Sequence, residues 1–95
     1  MLLLSIQNLS QLKKIIKVGT KIIKVKSGIS RKGIDEIRVV NKVQTNGFYM
    51  TGSWLEFQKA KDYEFYNNEY FSVYLPNEQH TEENLVGLYK IILDN

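Results

Sequence analysis

The sequence predicts a single mainly β domain of the α+β class, residues 1–95. One short N-terminal helix precedes a five- or six-stranded antiparallel, strongly bent sheet or small SH3-like barrel. Three observations predict this. Apolar residues recur at helical spacing near Leu9–Ile16, and the period then falls to two. Short β-branched and aromatic runs follow, separated by Gly, Asn and polar turn pairs. Ninety-five residues, 43% hydrophobic with one Pro and six Gly, make one packed domain without a linker or repeat. A small sheet needs curvature and closure to hide its edges.

The helix comes first. Asn8 or Ser5 serves as its N-cap and Gly19 as its C′ residue. At about 100° per residue, Leu9, Leu12, Ile15 and Ile16 share one arc and Lys13, Lys14 and Lys17 the other, giving a buried face and a cationic face. Thr20–Lys26 then alternates, with Ile23 and Val25 on one side and Lys24 and Lys26 on the other. Ser27–Gly33 is a polar loop carrying Arg31 and Lys32. Asp35–Thr45 is the clearest strand: Ile37, Val39 and Val43 face a core, and Glu36, Arg38, Lys42 and Gln44 face solvent.

Asn46-Gly47 suits a type I′ turn into the return strand Phe48–Ser53. Trp54–Phe57 continues in extended or irregular form, and Gln58–Asp62 is a polar turn or a single helical turn. Tyr63–Tyr66 and Tyr70–Leu75 read as strands around the turn pair Asn67-Asn68. In the second, Phe71, Val73 and Leu75 oppose Tyr70, Ser72 and Tyr74. Pro76–Glu83 is a polar loop. In the closing element, Leu85–Leu93, the apolar spacing fits a helix, but Gly87 and the apolar density favour a strand.

The charge is divided along the chain. Residues 1–47 hold ten Lys or Arg and two acids; residues 48–95 hold three Lys and eight acids. The chain has no Cys, which removes disulfides and thiolate metal sites and suits a reducing compartment. Met1–Leu4 lacks the basic flank and length of a signal peptide, and no run approaches the ~20 apolar residues of a membrane span. A cytoplasmic location in a bacterial host is expected. Abundant Lys, Ile and Asn match the codon bias of a low-GC bacterium or its phage.

Lys13, Lys14, Lys17, Lys24, Lys26, Arg31 and Lys32 are the candidate contacts for an anionic partner, either a phosphate backbone or an acidic protein surface. The bland alternative is a solvated lysine face. Arg31 and Arg38 are the only arginines, so bidentate base reading is poorly supplied and any nucleic-acid binding would be nonspecific. Phe48, Trp54, Phe57, Phe65 and Phe71 read as core. Tyr66, Tyr70 and Tyr74 fall on the opposite face, either exposed for stacking or anchoring a partner, or packed beneath the helix.

His80 with Glu82 and Glu83 has no second His or Cys to complete a metal sphere, so no metal or cofactor is expected. No nucleophile elbow, P-loop, HExxH or dinucleotide turn is present. Glu56, Asp62 and Glu64 read as salt-bridged surface acids rather than catalysts.

The segments RVVNKVQTNGFYM (Arg38–Met50) and WLEFQKAKDYEF (Trp54–Phe65), behind a helix ending in Val18-Gly19, resemble small uncharacterised accessory proteins of Gram-positive phages and mobile elements over residues 9–75. The resemblance implies a non-enzymatic protein that binds and blocks a host protein or ribonucleoprotein, in its most concrete form an anti-CRISPR-like inhibitor of a defence nuclease. The alternative is a small nucleic-acid-binding barrel using the same basic residues and tyrosines.

Overall fold

The computed structural model describes residues 5–29, 31, 33–51, 53–57 and 60–92. One helix, α1 (Leu9–Ile15), precedes seven strands: β1 (Lys21–Lys26), β2 (Ile37–Gln44), β3 (Gly47–Met50), β4 (Ser53–Glu56), β5 (Tyr63–Tyr66), β6 (Tyr70–Tyr74) and β7 (Leu85–Ile92). They form one sheet in the order β4-β3-β2-β1-β7-β6-β5, antiparallel at every pairing. The count is therefore seven rather than five or six. The added strand is β4, from the stretch whose sequence reads as extended or irregular. The closing element is a strand.

No SH3-like barrel forms, because β4 and β5 remain edges of the sheet. The sheet is nevertheless strongly curled. The chain passes from one edge to the other through residues 57–62 alone. Fully extended, that crossing reaches about 25 Å, whereas six inter-strand gaps in a flat sheet span about 29 Å. A 3₁₀ turn at Ala60–Asp62 shortens the reach further. The edges meet where the Tyr63 hydroxyl donates to the Glu56 carbonyl at 2.7 Å.

Asn8 caps α1 as expected, its side chain accepting from the Gln11 N–H. The helix ends earlier than expected, at the C-cap Ile16, so Gly19 lies beyond it and serves the turn into β1. Leu12 and Ile16 are buried and Leu9 and Ile15 pack beside them, while Lys13, Lys14 and Lys17 are exposed. The β2–β3 hairpin is present, but its two-residue loop is Thr45-Asn46, with Gly47 already paired to Gln44. Gly47 is small for another reason: a Cβ there would lie 2.5 Å from the Trp54 indole. Asn67 and Asn68 both adopt positive φ in the β5–β6 turn, which Asn tolerates.

The assignment of faces is the main correction. The core lies on the side covered by α1, where Ile6, Leu12 and Ile16 pack with Ile22, Val40, Phe48, Met50, Leu55, Tyr63, Phe71, Val73, Tyr89 and Ile91. On β2 the core residue is Val40, 0% exposed; Ile37 is 58% and Val39 39% exposed on the outer face. On β1 it is Ile22, with Ile23 half-buried and Val25 exposed on the other side. Bulges cause much of the mismatch. The ladder slips between Val40 and Lys42, which returns Val43 to the Phe48 side at the rim of the core. It slips again after Lys24, so Lys24 opposes Tyr89 on the core side and Lys26 opposes Leu88 on the outer side. The two lysines do not share a face.

Aromatic rings carry the core across β5, β6 and β7. Tyr63 stacks on Phe65 (6.0 Å) and Phe71 (6.3 Å), and Phe71 on Tyr89 (5.2 Å). Phe48 and Phe71 are core as expected, with Phe57 and Phe65 packed against it. Trp54 is not: it pairs with Tyr49 on the outer face, their rings 4.7 Å apart. The Tyr89 ring leans back over Gly87, where a Cβ would approach it to 2.5 Å.

Two outcomes follow. Val40→Thr places a hydroxyl in the core and should cost about 1–3 kcal/mol, whereas the same change at neighbouring Val39 should stay within about 0.5 kcal/mol. Urea unfolding of both variants tests the inverted face, and equal losses would refute it. Gly87→Ala should displace Tyr89 and cost about 1–3 kcal/mol, read as a Tm drop of about 4–8 °C per kcal/mol.

Candidate functional site

The strand register sets two rows of side chains across the outer face. The first crosses five strands: Ile37, Ile23, Lys90, Tyr70 and Tyr66, each the cross-strand partner of the next. Directly opposed side chains in such a row lie about 4.5–5.5 Å apart at Cβ. Lys90 sits over the Tyr70 ring at 5.6 Å and 3.6 Å from the Glu69 carboxylate. Val39, Lys21 and Ile92 form a shorter parallel row beside it.

The second row runs Lys26, Leu88, Ser72 and Glu64. Along it lies a cavity of about 240 Å³ lined by Lys26, Tyr66, Ser72, Tyr74, Leu85 and Leu88. Ser72 is 1% exposed and its hydroxyl oxygen has no hydrogen-bond partner. Tyr66 is near enough for its titration to feel the Ser72 hydroxyl, yet the two do not meet as a hydrogen bond.

At the end of this row Glu64 is engaged twice. One oxygen accepts a short hydrogen bond from the Tyr66 hydroxyl, and the other lies 2.5 Å from His80 Nδ1. The Tyr66 bond, with His80 adding to it, holds the Glu64 carboxyl below its ordinary value. Burial first and Glu64 second push the Tyr66 hydroxyl up to about 12. The His80 ring stacks on Tyr74 at 4.2 Å, nearly parallel. This stack folds the loop after β6 back over the sheet and buries Tyr74.

The tyrosine row is thus split. Tyr66 is 40% exposed, Tyr70 half-buried and Tyr74 buried. The helix does not cover their face; the His80 loop covers its end. The basic residues are also divided. Lys13 and Lys14 project from α1, on the side of the molecule away from the outer face, with Lys13 over the Phe57 ring at 5.4 Å, whereas Lys17 follows the helix and lines a depression with Lys21 and Ile92 at the border of the outer face. Lys24 is half-buried on the core side, its ammonium pulled below the ordinary value by burial and then by nearby Arg38.

Lys26 pairs with Glu82 at 2.6 Å. Arg31 lines an open depression of about 670 Å³ with Ser27, Gly28, Ile29, Thr81, Glu82 and Glu83. Lys32 lies outside the described residues. Asp62 is buried, accepting from the Asn77 N–H, and is not the surface acid its neighbours suggested. Among the described residues no group of three His, Asp or Glu is placed to hold a metal. No helix among them is long and apolar enough to cross a membrane.

Neither family models, curated proteins nor solved structures yield a match to this chain. The outer face therefore has to be read from its own chemistry. The residues missed by sequence reasoning are Ile23, Ile37, Val39, Ser72, Leu88 and Lys90. Alternation marks Ile37 and Val39 as apolar but cannot say which side of the sheet is covered.

The Glu64 network has a pH signature. The carboxyl titrates lower in the fold than in the unfolded chain, so its stabilisation is complete above the ordinary value of 4.5 and is lost as pH falls through the lower folded value. Glu64→Gln should lower Tm near pH 7, and the difference should shrink as pH falls through the lowered folded value. A Tm difference that stays constant across that range would show that the Glu64 charge is irrelevant.

Proposed function

We propose that this chain is a non-enzymatic interaction protein of phage or mobile-element origin. It binds a host protein or ribonucleoprotein and blocks its work, most concretely as an anti-CRISPR-like inhibitor of a defence nuclease. The observation that carries the reading is the first outer row. Ile37, which alternation marks as a core residue, stands exposed on a sheet face that α1 does not cover, in line with Ile23 and the tyrosine pair, and Val39, marked likewise, is exposed beside it in the parallel row. Contiguous exposed apolar and aromatic side chains of this sort mark interaction surfaces. The resemblance of residues 9–75 to phage and mobile-element proteins supplies the biological context.

The mechanism is occlusion, with two separable contributions. The outer face anchors: Ile37, Val39 and Tyr66 lose water against the partner, and Tyr70 and Lys90 flank them. Lys13 and Lys14 lie on α1, away from this face, and Lys17 stands at its border beside Lys21 and Ile92. The three lysines raise the encounter rate with an acidic protein or RNA-bearing partner, a long-range effect that salt suppresses. The nucleic-acid alternative keeps Tyr66 and Tyr70 as a two-ring platform, but Tyr74 is engaged with His80 and Lys26 with Glu82.

The decisive measurement is protection of phage in bacteria carrying a defence nuclease, with capture of the blocked component. Wild-type protein should protect. Ile37→Glu should lose at least about tenfold in partner affinity with its Tm retained. Lys13/Lys14/Lys17→Glu should slow association mainly at low salt. No protection and no retained host partner would end this reading. Steeply salt-dependent binding of labelled oligonucleotides would put the nucleic-acid alternative in its place.

A further inference from the structure

We propose that the cavity along the second outer row is a binding site for a compact, hydroxylated monocarboxylate, a ligand function separate from partner docking. The site is built from three kinds of group. Its walls are apolar, formed by Leu85, Leu88 and the Tyr74 ring, which His80 holds in place. Ser72 also lines it, a polar side chain that is 1% exposed and makes no hydrogen bond. A buried hydroxyl left this way is costly unless something supplies a partner.

The third group is Lys26, the one charged side chain among the described residues lining the cavity. It reaches this side of the sheet because the bulge after Lys24 sets it opposite Leu88; an unbroken ladder would turn it to the core side. Its ion pair with Glu82 is open to water, with side chains 53% and 69% exposed. Such a pair is weak, so a ligand carboxylate can replace Glu82 at little cost.

The spacing selects the ligand. Lys26 and Ser72 lie on β1 and β6 with β7 between them, two inter-strand gaps or about 10 Å apart. Part of that distance is covered by the flexible lysine stem. What remains fits a carboxylate at Lys26, an apolar body over Leu88 and a hydroxyl or carbonyl at Ser72. The volume of about 240 Å³ is below the range of drug-sized pockets, which begins at about 300 Å³, so the body is no larger than one ring. The Tyr66 proton is committed to Glu64, so Ser72 is the hydroxyl at that end without a hydrogen-bond partner.

The test is titration of ¹⁵N-labelled protein with 4-hydroxyphenylacetate, phenylacetate and 4-hydroxyphenylacetamide. These are the complete probe, the probe lacking its hydroxyl and the probe lacking its charge. 4-Hydroxyphenylacetate should give saturable shifts at the Lys26, Ser72 and Leu88 amides, with a Kd on the order of 1 mM. The other two should each bind several-fold more weakly. Lys26→Gln, at an exposed position that folding tolerates, should erase the preference for acid over amide. Ser72→Ala, which removes the unpartnered atom, should erase the preference for the hydroxylated acid. Three results overturn the proposal: no saturable shift at these amides, as when only water fills the cavity; equal binding of acid and amide; or an acid preference that survives Lys26→Gln.

Discussion

The chain leaves one edge of its sheet at Glu56 and re-enters at the opposite edge at Tyr63, and this short crossing governs the shape of the molecule. A flat sheet is too wide to be crossed in that length, so the strands curl until the two edges face each other. Curling creates an enclosed side and an outward side. The enclosed side is too small to hold helical cover along its whole length, and seven residues of α1 with Ile6 suffice. The Tyr63–Glu56 hydrogen bond ties the edges, and buried Asp62, at the end of the crossing, ties the same corner to Asn77. The N-terminal segment is fixed to the far rim, where the Ile6 N–H donates to the Asn68 carbonyl.

The two bulges then decide what the outward side presents. A strand that kept its period would place every second residue on one face, and one extra residue reverses that order. After Lys24 the slip brings Lys26 out beside Leu88. After Val40 it brings Lys42 out beside Tyr49 and turns Val43 towards Phe48. The slips are local: the first sets Lys26 outward, and the second lets Val40 and Val43 both turn to the core side while Ile37 and Val39 stay outside. The cation of the small cavity and the apolar row of the proposed interface both depend on register.

Much of this was legible in the sequence, and the limit is physical. The Asn8 cap, the α1 amphipathicity, the β2–β3 hairpin, the Asn67-Asn68 turn and the strand at Leu85–Ile92 all rest on local chemistry, which sequence encodes directly. The choice of face does not. Residues 37–43 contain Ile37, Val39, Val40 and Val43, and alternation cannot rank Val39 against Val40 once a bulge intervenes. The β4 edge strand was unclear because Trp54 and Leu55 are adjacent, with both faces apolar; Leu55 serves the core and Trp54 the outer pair with Tyr49. Among the candidate site residues, Tyr66 and Tyr70 do share a face. The convergence of the lysines was never in the sequence, because it depends on the sheet order and on which side α1 lies.

The charge division along the chain takes on a different meaning in three dimensions. The sheet order keeps β1 and β2 side by side, so the cation-rich half remains contiguous, yet its helix and its outer strand face point in different directions. A charge can act on a partner across about a Debye length, roughly 8 Å at physiological salt, without touching it. An apolar side chain acts only on contact. Under the proposed docking, Lys13 and Lys14 speed an encounter and the Ile37–Tyr66 row holds it, so the two can be varied independently. A domain of this size has a small stability margin, and moving Ile37 and Val39 into the core would have strengthened it. Their position outside is easiest to understand if another surface completes their burial.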